Sequence, residues 1–576
     1  MMCVMPLIEG CRIHAEKCIL LRCFDQTRVF FRILLVTASV LLRTIAMIFI
    51  GPGLAVGADG PMLAADGWPG TLIIVGGGSV PDDVLIALKE SLRGEGSLVV
   101  IAEAASNPKE AADSSTKWLA ESGISHVVVV DSSLTESERG LMTVAAIDAA
   151  SAVWICGGQQ SRLATTFAKS GVEGALQRLL QRGGTVGGTS AGAAIMSKVM
   201  IASGNEQPEM SEGWDLLQGA IVDQHFTNRN RLARLQIAVE MHVECLGVGI
   251  DEGTAVFIQG RHMRVTGSDS ASIVLAKTDY RDAEVLRLAA GEAADLTQLR
   301  RAARQRASRV DPGEPQSGSP EVRSGSLVIV GGGAMTEDVV QRFVELAGGK
   351  SANIVVLPTA VSREEASSKV PGFLKKESVA NITVLTQRGP VEVASEEFQS
   401  SLKAATGIWF GGGRQWNFVD AYEGTEAMEL FRDVLRRGGV IGGSSAGATI
   451  QGEFLVRGHP QGNSVMMAEG YERGFAFLPG MAIDQHFSQR DRLPDLLPVI
   501  RRHPKMVGVG IDEGTAIVVT GTRVEVIGQH SAHFVSAQQL MSIPAEQELP
   551  ATAEEAAKLY VTIKTGESTD LQALSQ

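Results

Sequence analysis

The chain has 576 residues, too many for one ordinary core, with 44% hydrophobic and 20% charged residues and a net charge of −13, so it reads as a globular protein of several domains. Aromatic residues make up only 5% and no Lys/Arg-rich block is present, which argues against a nucleic-acid partner, whether by base stacking or by phosphate contacts. Of six cysteines only Cys156 and Cys245 lie beyond residue 23, so neither a disulfide framework nor a zinc spacing is expected.

Residues 1–58 carry six Lys/Arg and three acids, then the apolar run "ILLVTASVLLRTIAMIFIGPGLAVGA" ending in small residues. A basic start, an apolar run and a small-residue end predict an export signal. The protein is therefore expected in the periplasm or outside the cell. The alternatives are a membrane anchor, if the leader stays uncleaved, or a cytoplasmic protein, if the start lies downstream. No other membrane contact is expected.

Next comes "GTLIIVGGGSVPDDVLIAL" (70–88), a buried strand, a glycine turn and a helix. The turn resembles a nucleotide loop only superficially, because the third glycine of G-x-G-x-x-G is missing. Short β-branched runs ("SLVVIA", "HVVVV", "AVWIC", "GTVGG") then alternate with helical stretches such as "RLATTFAKSGVEGALQRLLQRG". This alternation predicts a three-layer α/β domain whose mostly parallel sheet binds ligands beyond its carboxyl edge.

The whole pattern then recurs. "GSLVIVGGGAMTEDVVQRF" (325–343) repeats 70–88, "IWFGGGRQ" (408–415) repeats "VWICGGQQ" (153–160), and "IGGSSAGATI" repeats "VGGTSAGAAI". "AIDQHFSQRDRL" (482–493) repeats "IVDQHFTNRNRL" (221–232), and "GVGIDEGTA" stands at 247–255 and 508–516. The repeat offset grows by six residues between serine and histidine, so the second copy carries an insertion there. A period this long means two whole domains. They are placed at 70–285 and 325–545, with a helical or linker segment at 286–324 and a tail at 546–576.

Gly188-Thr189-Ser190-Ala191-Gly192 follows a strand and precedes a helical stretch, the setting in which a G-x-S-x-G serine is a nucleophile on a strained turn. Ser445 stands in the same setting. The backbone N–H groups of Ala191 and Gly158, and of Ala446 and Gly413, are candidate oxyanion donors. A serine needs a base, and each copy offers a histidine in Asp-Gln-His-Phe, His225 and His486. The orienting acid is sought in the loop "SGNEQPEMSEG", at Glu206 or Glu209. The second copy offers Glu453, Glu469 or Glu472 without deciding between them. Asp251-Glu252 and Asp512-Glu513 are read as structural or substrate-contact acids. No metal and no cofactor is expected. Gln160 and Gln415 follow the glycine turns, and Arg229, Arg231, Arg234, Arg490 and Arg492 follow the histidines, where arginine suits a carboxylate. Arg234 has Asp495 as its counterpart.

Taken together, the strand-GGG start, the Gly-Gly-x-Gln turn, "GGTSAGAAIM", "IVDQHFTNRNRLARL" and "GVGIDEGTA" resemble the cyanophycinases, serine peptidases of the peptidase E-like group. The resemblance covers nearly all of both copies. It implies a class I glutamine amidotransferase-like (flavodoxin-like) fold and hydrolysis of cyanophycin, a poly-aspartate with arginine on each β-carboxyl, to β-Asp-Arg dipeptides. It implies that Ser190 and Ser445 are nucleophiles and that His225 and His486 are bases, and Glu206 is taken as the acid. Gln160, Asp223, Gln224, Arg229, Arg231 and Arg234 become substrate contacts, matched in the second copy by Gln415, Asp484, Gln485, Arg490 and Arg492. The second copy departs in lacking a clear acid, and the first in having Ala102-Glu103-Ala104 where the second has Pro358-Thr359-Ala360. Family members are typically dimers of one domain, so the two copies are expected to form a pseudo-dimer within the chain.

Overall fold

The structure is a computed structural model that describes residues 67–92, 96–315 and 319–574; the leader and its export signal lie outside these residues. Each copy contains one eight-stranded sheet and one smaller sheet of four or five strands, and the first copy adds a two-stranded hairpin, Val199–Ser203 with Glu209–Glu212. In the first copy the large sheet runs, edge to edge, Ala293–Asp295, His262–Gly267, Thr254–Gln259, Thr71–Val75, Thr185–Thr189, Ala152–Ile155, Leu98–Ile101 and Val127–Val129. The last five are parallel to one another and the first three antiparallel. The second copy repeats this order from Ser568–Asp570 to Asn381–Val384. The protein is thus a tandem of two mixed α/β units with mostly parallel cores.

The apolar runs form strands because both faces are covered. Along Thr71–Val75, Leu72 and Ile74 point into one core and Ile73 and Val75 into the other, all at most 1% exposed. Helices Asp82–Ser91 and Pro108–Glu121 cover the Ile73 face with Val84, Leu88, Ala112 and Leu119. Helix Val172–Gln181 covers the other face, burying Val172, Ala175, Leu176, Leu179 and Leu180 at the spacing of one helical stripe. The small sheet packs on that same face: Ala220–Gln224 and Leu246–Ile250 lie parallel, and Val222, Val248 and Ile250 join the core. Two sheets therefore bring their carboxyl ends to one place.

The segments 286–324 and 546–576 are not simple linker and tail. Glu284–Ala289 and Ala293–Asp295 are strands of the two sheets of the first copy, and Val561–Lys564 and Ser568–Asp570 occupy the same places in the second. Helix Leu296–Ala307 continues the first copy and meets the second. There the charges are sorted by copy. Arg261 Nη1 lies 3.0 Å from Asp420, Arg306 Nε 2.6 Å from Glu469, and Arg301 and Arg281 pair with Glu423 and Glu472. Arg261 also stacks 4.2 Å over Trp416. The six-residue insertion falls in the irregular stretch between Gly452–Phe454 and Leu478–Gln485, the stretch that contributes Glu469 and Glu472. The two copies do meet, but through unlike patches. Ser161 and Thr165, at the places of Trp416 and Asp420, are exposed, and Thr522, at the place of Arg261, bonds Asp570 of its own copy. The contact is heterologous, not that of a two-fold dimer.

Candidate active site

The serine turn is strained in both copies. Ser190 has φ 51° and ψ −107°, and Ser445 φ 56° and ψ −114°, a region costing a residue with a side chain about 1–3 kcal/mol. The turn is held by packing that excludes side chains. A Cβ on Gly188 would lie 2.5 Å from the Gly192 carbonyl oxygen, and one on Gly192 would lie 2.3 Å from that of Ile155. Ser190 N–H donates to the Val75 carbonyl of the neighbouring strand, at 3.0 Å. The strain thus aims the hydroxyl away from the sheet edge.

It points at a histidine. Ser190 Oγ lies 2.9 Å from His225 Nε2, and Ser445 Oγ 3.0 Å from His486 Nε2. Each histidine ends a strand of the small sheet and itself has a positive φ, 48° and 52°. Its position is fixed by the glycine turn of the first strand. His225 N–H donates to the Gly76 carbonyl at 2.7 Å, and a Cβ on Gly77 would sit 2.2 Å from the imidazole Cε1. Gly331 and Gly332 do the same for His486. The "VGGG" turn, which looked like a failed nucleotide loop, is the floor under the imidazole. Only glycine leaves room for it.

The third group is Glu252, with Glu513 in the second copy. His225 Nδ1 and His486 Nδ1 each lie 2.5 Å from a glutamate Oε1. Glu206 is exposed on the hairpin loop, and Glu209 is bonded to Ser203. Neither is the partner of His225, because the hairpin turns outward while Leu246–Ile250 runs parallel to the histidine's own strand and ends beside it. In the second copy Glu453 holds the Gly480 amide at 2.7 Å, and Glu469 and Glu472 lie in the contact between copies. Asp251 and Asp512 are structural. Asp251 accepts from Thr227 N and Oγ1 at 2.8 and 2.6 Å and from Ser270 at 2.8 Å, and Asp512 accepts from Ser488 N at 2.9 Å. Burial would raise these carboxyls, but the hydrogen bonds outweigh it and hold both low. Each ties down the turn that follows the histidine.

Ala191 and Ala446 begin short helices, so their N–H groups have no carbonyl of their own helix to bond. A Cβ on Gly157 would stand 3.4 Å from Ser190 Cβ, and Gly158 has φ 146°. The turns Gly157-Gly158 and Gly412-Gly413 therefore lie against the serines. The other expected contacts are turned inward. Gln160 donates to the Ile201 carbonyl at 2.7 Å, and Gln415 to those of Val456 and Arg457. Asp223 is 2% exposed and bound by Arg234 Nε at 3.0 Å and Arg231 at 3.3 Å; Arg231 also bonds Gln224 Oε1 at 2.6 Å. This network braces the strand that ends in His225. Arg229 and Arg490 differ: both are exposed and neither has a carboxylate partner among the described residues.

Two serine-histidine-glutamate relays, each on its own strained turn, are the chemistry of a hydrolase. The sequence model of peptidase family S51 matches this chain twice, at residues 72–266 and 327–527. The chain belongs to peptidase family S51. It is a serine peptidase. The cyanophycinase of Geminocystis herdmanii (strain PCC 6308) is 31% identical over 224 residues, spanning 37% of this chain and 82% of that protein. The cyanophycinase of Trichormus variabilis (strain ATCC 29413 / PCC 7937) is 37% identical over 234 residues, spanning 38% and 77%. The crystal structure of a peptidase from an acI-B1 Actinobacterium covers 40% of this chain and 98% of its own, at 19% identity and a TM-score of 0.32.

The two S51 copies replace one another's parts. Asp484, the counterpart of Asp223, is completely buried and bound by Arg492 at 3.3 Å and by Arg457 at 2.9–3.1 Å. Arg457 comes from the stretch after Gly452–Phe454, and it also pairs with Asp495, which stands where Arg234 does. The exchange that made the second copy look incomplete is thus answered by a cation from another element. Burial, with Arg490 and Arg492 nearby, lowers the pKa of His486 against the raising effect of Glu513, which favours the neutral ring that can accept a proton.

Proposed function

We propose that the protein is an exported peptidase that hydrolyses cyanophycin to β-Asp-Arg dipeptides, with a working site in each copy. The observation that carries this reading is the pair of relays Ser190–His225–Glu252 and Ser445–His486–Glu513, each within hydrogen-bond distance throughout. The serine hydroxyl attacks the scissile carbonyl while its proton passes to Nε2. The glutamate steadies the imidazolium that forms. Ala191 N–H and the Gly157-Gly158 backbone are the donors assigned to the oxyanion, as are Ala446 N–H and Gly412-Gly413. The amine leaves with the proton from Nε2, and water then hydrolyses the acyl-serine by the same route. The substrate is suggested by the relatives named above and by Arg229 and Arg490. These are exposed cations four residues after each histidine, free to take a substrate carboxylate. The leader supports export.

The test is release of β-Asp-Arg from insoluble cyanophycin by the chain without residues 1–58. Ser190→Ala and Ser445→Ala should each remove part of the rate and the double variant all of it. No dipeptide between pH 6 and 9 would refute the substrate. An unchanged rate in the double variant would refute the nucleophiles.

A further inference from the structure

At the carboxyl end of strand Leu98–Ile101 the two copies differ where their frameworks agree. Sheet register aligns the positions: Leu98 pairs with Ala152 as Ile354 pairs with Gly407, which sets Glu103 opposite Thr359. In the second copy Thr359 bonds the Tyr422 hydroxyl at 2.6 Å, and the Tyr422 ring packs 6.1 Å from Phe398. In the first copy these three positions hold Glu103, Phe167 and Thr143. The hydroxyl is gone, a ring has shrunk to a threonine, and a carboxylate has been brought in.

At this place the first copy has an open pocket of about 380 Å³ lined by Glu103, Arg139, Ser161, Arg162, Thr165 and Thr166 among others. Its charged groups are incompletely partnered. Glu103 is 8% exposed, and burial pushes its carboxyl up against hydrogen bonds from the local backbone and the charge of Arg139, the one side chain opposing the shift. Arg139 gives Nη2 to the Ser132 and Leu134 carbonyls, but its Nε is buried without a partner, as is Thr143 Oγ1 one turn further along the same helix. Burying such a group without a partner is unfavourable, so the arrangement suits a ligand. The wall of the pocket is tied through the backbone to the turn beside the serine. Arg162 donates to the Ala105 carbonyl at 2.9 Å and Gln159 N–H to that of Ala104 at 2.8 Å, and Gly157-Gly158 next in the chain touches Ser190. Helix Gln160–Thr166 and its counterpart Trp416–Tyr422 differ in sequence, so the second copy presents Trp416 and Asp420 to the first copy at the places where Ser161 and Thr165 line this opening.

We propose that this cavity is a binding site, present in the first copy alone, for a zwitterionic amino acid with a cationic side chain. Its cation pairs with Glu103 and its carboxylate with Arg139 and Arg162. That the occupant is the arginyl end of substrate or product rests on the function proposed above; the existence of the site does not.

The test is calorimetric titration of the catalytically dead Ser190→Ala/Ser445→Ala chain with L-arginine, agmatine (no carboxylate) and L-citrulline (no cation). Arginine should bind at least tenfold more tightly than either analogue at a site that Glu103→Gln removes. The pair Glu103→Thr/Phe167→Tyr, which writes in the residues of the second copy, should remove the same site while keeping the melting temperature. Absence of arginine binding, or binding unchanged by both variants, overturns the proposal. In a chain carrying Ser445→Ala alone, Glu103→Gln should raise KM for cyanophycin several-fold and leave kcat; in one carrying Ser190→Ala it should change neither. If no chain hydrolyses cyanophycin, the functional reading fails while the titration still decides the site.

Discussion

Replacing Glu252 by glutamine separates the relay seen in the structure from the one expected in the hairpin loop. The amide keeps the shape but not the charge, and it can offer an N–H to Nδ1, which favours the wrong imidazole tautomer. Where such an acid is fully buried the loss is about 10⁴-fold in kcat. Here the imidazole is 12% exposed but the glutamate 38%, so solvent screens part of the charge. We therefore expect a loss of about 10²–10³-fold, or about 3–4 kcal/mol in activation free energy. The assay is initial β-Asp-Arg release by a chain carrying Ser445→Ala, so that the first copy alone is read. Glu513→Gln should do the same in the Ser190→Ala chain, where His486 and Glu513 are 11% and 35% exposed. Glu206→Gln should stay within about twofold of its parent, as an exposed surface change does. Glu252→Gln retaining a third or more of the rate, or Glu206→Gln losing as much as Glu252→Gln, would refute the assignment.

Gly77→Ala should cost the first copy at least about 100-fold in kcat, because the new Cβ lands 2.2 Å from His225 Cε1 and small misplacements of a base cost that much; the second copy, read in the Ser190→Ala chain, should be unaffected. Arg490 disfavours the protonated ring of His486. The base works when neutral, so activity is present above its pKa and lost as pH falls through it; Arg490→Gln should move the acid limb of the second copy's pH–rate profile to higher pH, and Arg490→Lys should leave it in place. Arg261→Met removes one cation from Asp420, whose side chain is 8% exposed, and because Arg301 remains 3.6 Å away it should cost the low end of the range for a broken buried pair, about 3 kcal/mol, read as a fall in melting temperature. Breaking the exposed pair Arg178–Asp148 should by contrast leave the melting temperature unchanged, because solvent screens it. Burial pushes the Cys156 and Cys245 thiols up to about 11 and about 12, so neither should be alkylated by iodoacetamide at pH 8 until the chain unfolds.

The parts of the fold set by periodicity were legible in the sequence. Continuous apolar runs gave the parallel strands, and the G-x-S-x-G setting gave the elbow. The acid is not legible from proximity along the chain, because sheet topology decides which carboxylate meets the histidine. Glu206 lies nearer in sequence to His225, but the strand ending at Glu252 is its hydrogen-bonded neighbour. A signal was present: in both copies the glutamate of "GIDEGTA" follows its histidine by 27 residues, whereas no acid of the hairpin loop is matched at all. The role of the glycine turn was not legible for a related reason. Its function is to leave space for an imidazole from 150 residues away, and only the tertiary contact shows that. The strands at Glu284–Ala289 and Val561–Lys564 were missed because they are edge strands with exposed residues, which a reading tuned to buried runs passes over.

The exchange of Arg234 for Asp495 shows why residue-by-residue comparison of the two copies undervalued the second. A buried carboxylate requires a cation, but the element that supplies it is free to change. Arg234 reaches Asp223 from the helix after the histidine, and Arg457 reaches Asp484 from the stretch after the serine helix. Both solutions brace the same strand, and the relays at its end differ by only 0.1 Å between serine and histidine. What separates the copies is not the reacting groups but what surrounds them. The second copy closes the end of strand Asn353–Leu357 with a threonine–tyrosine bond and has its neighbouring helix covered by arginines of the first. The first copy leaves that place open, with a carboxylate inside. A difference of that kind acts on binding, so the two sites should diverge in KM and in their response to free arginine more than in kcat.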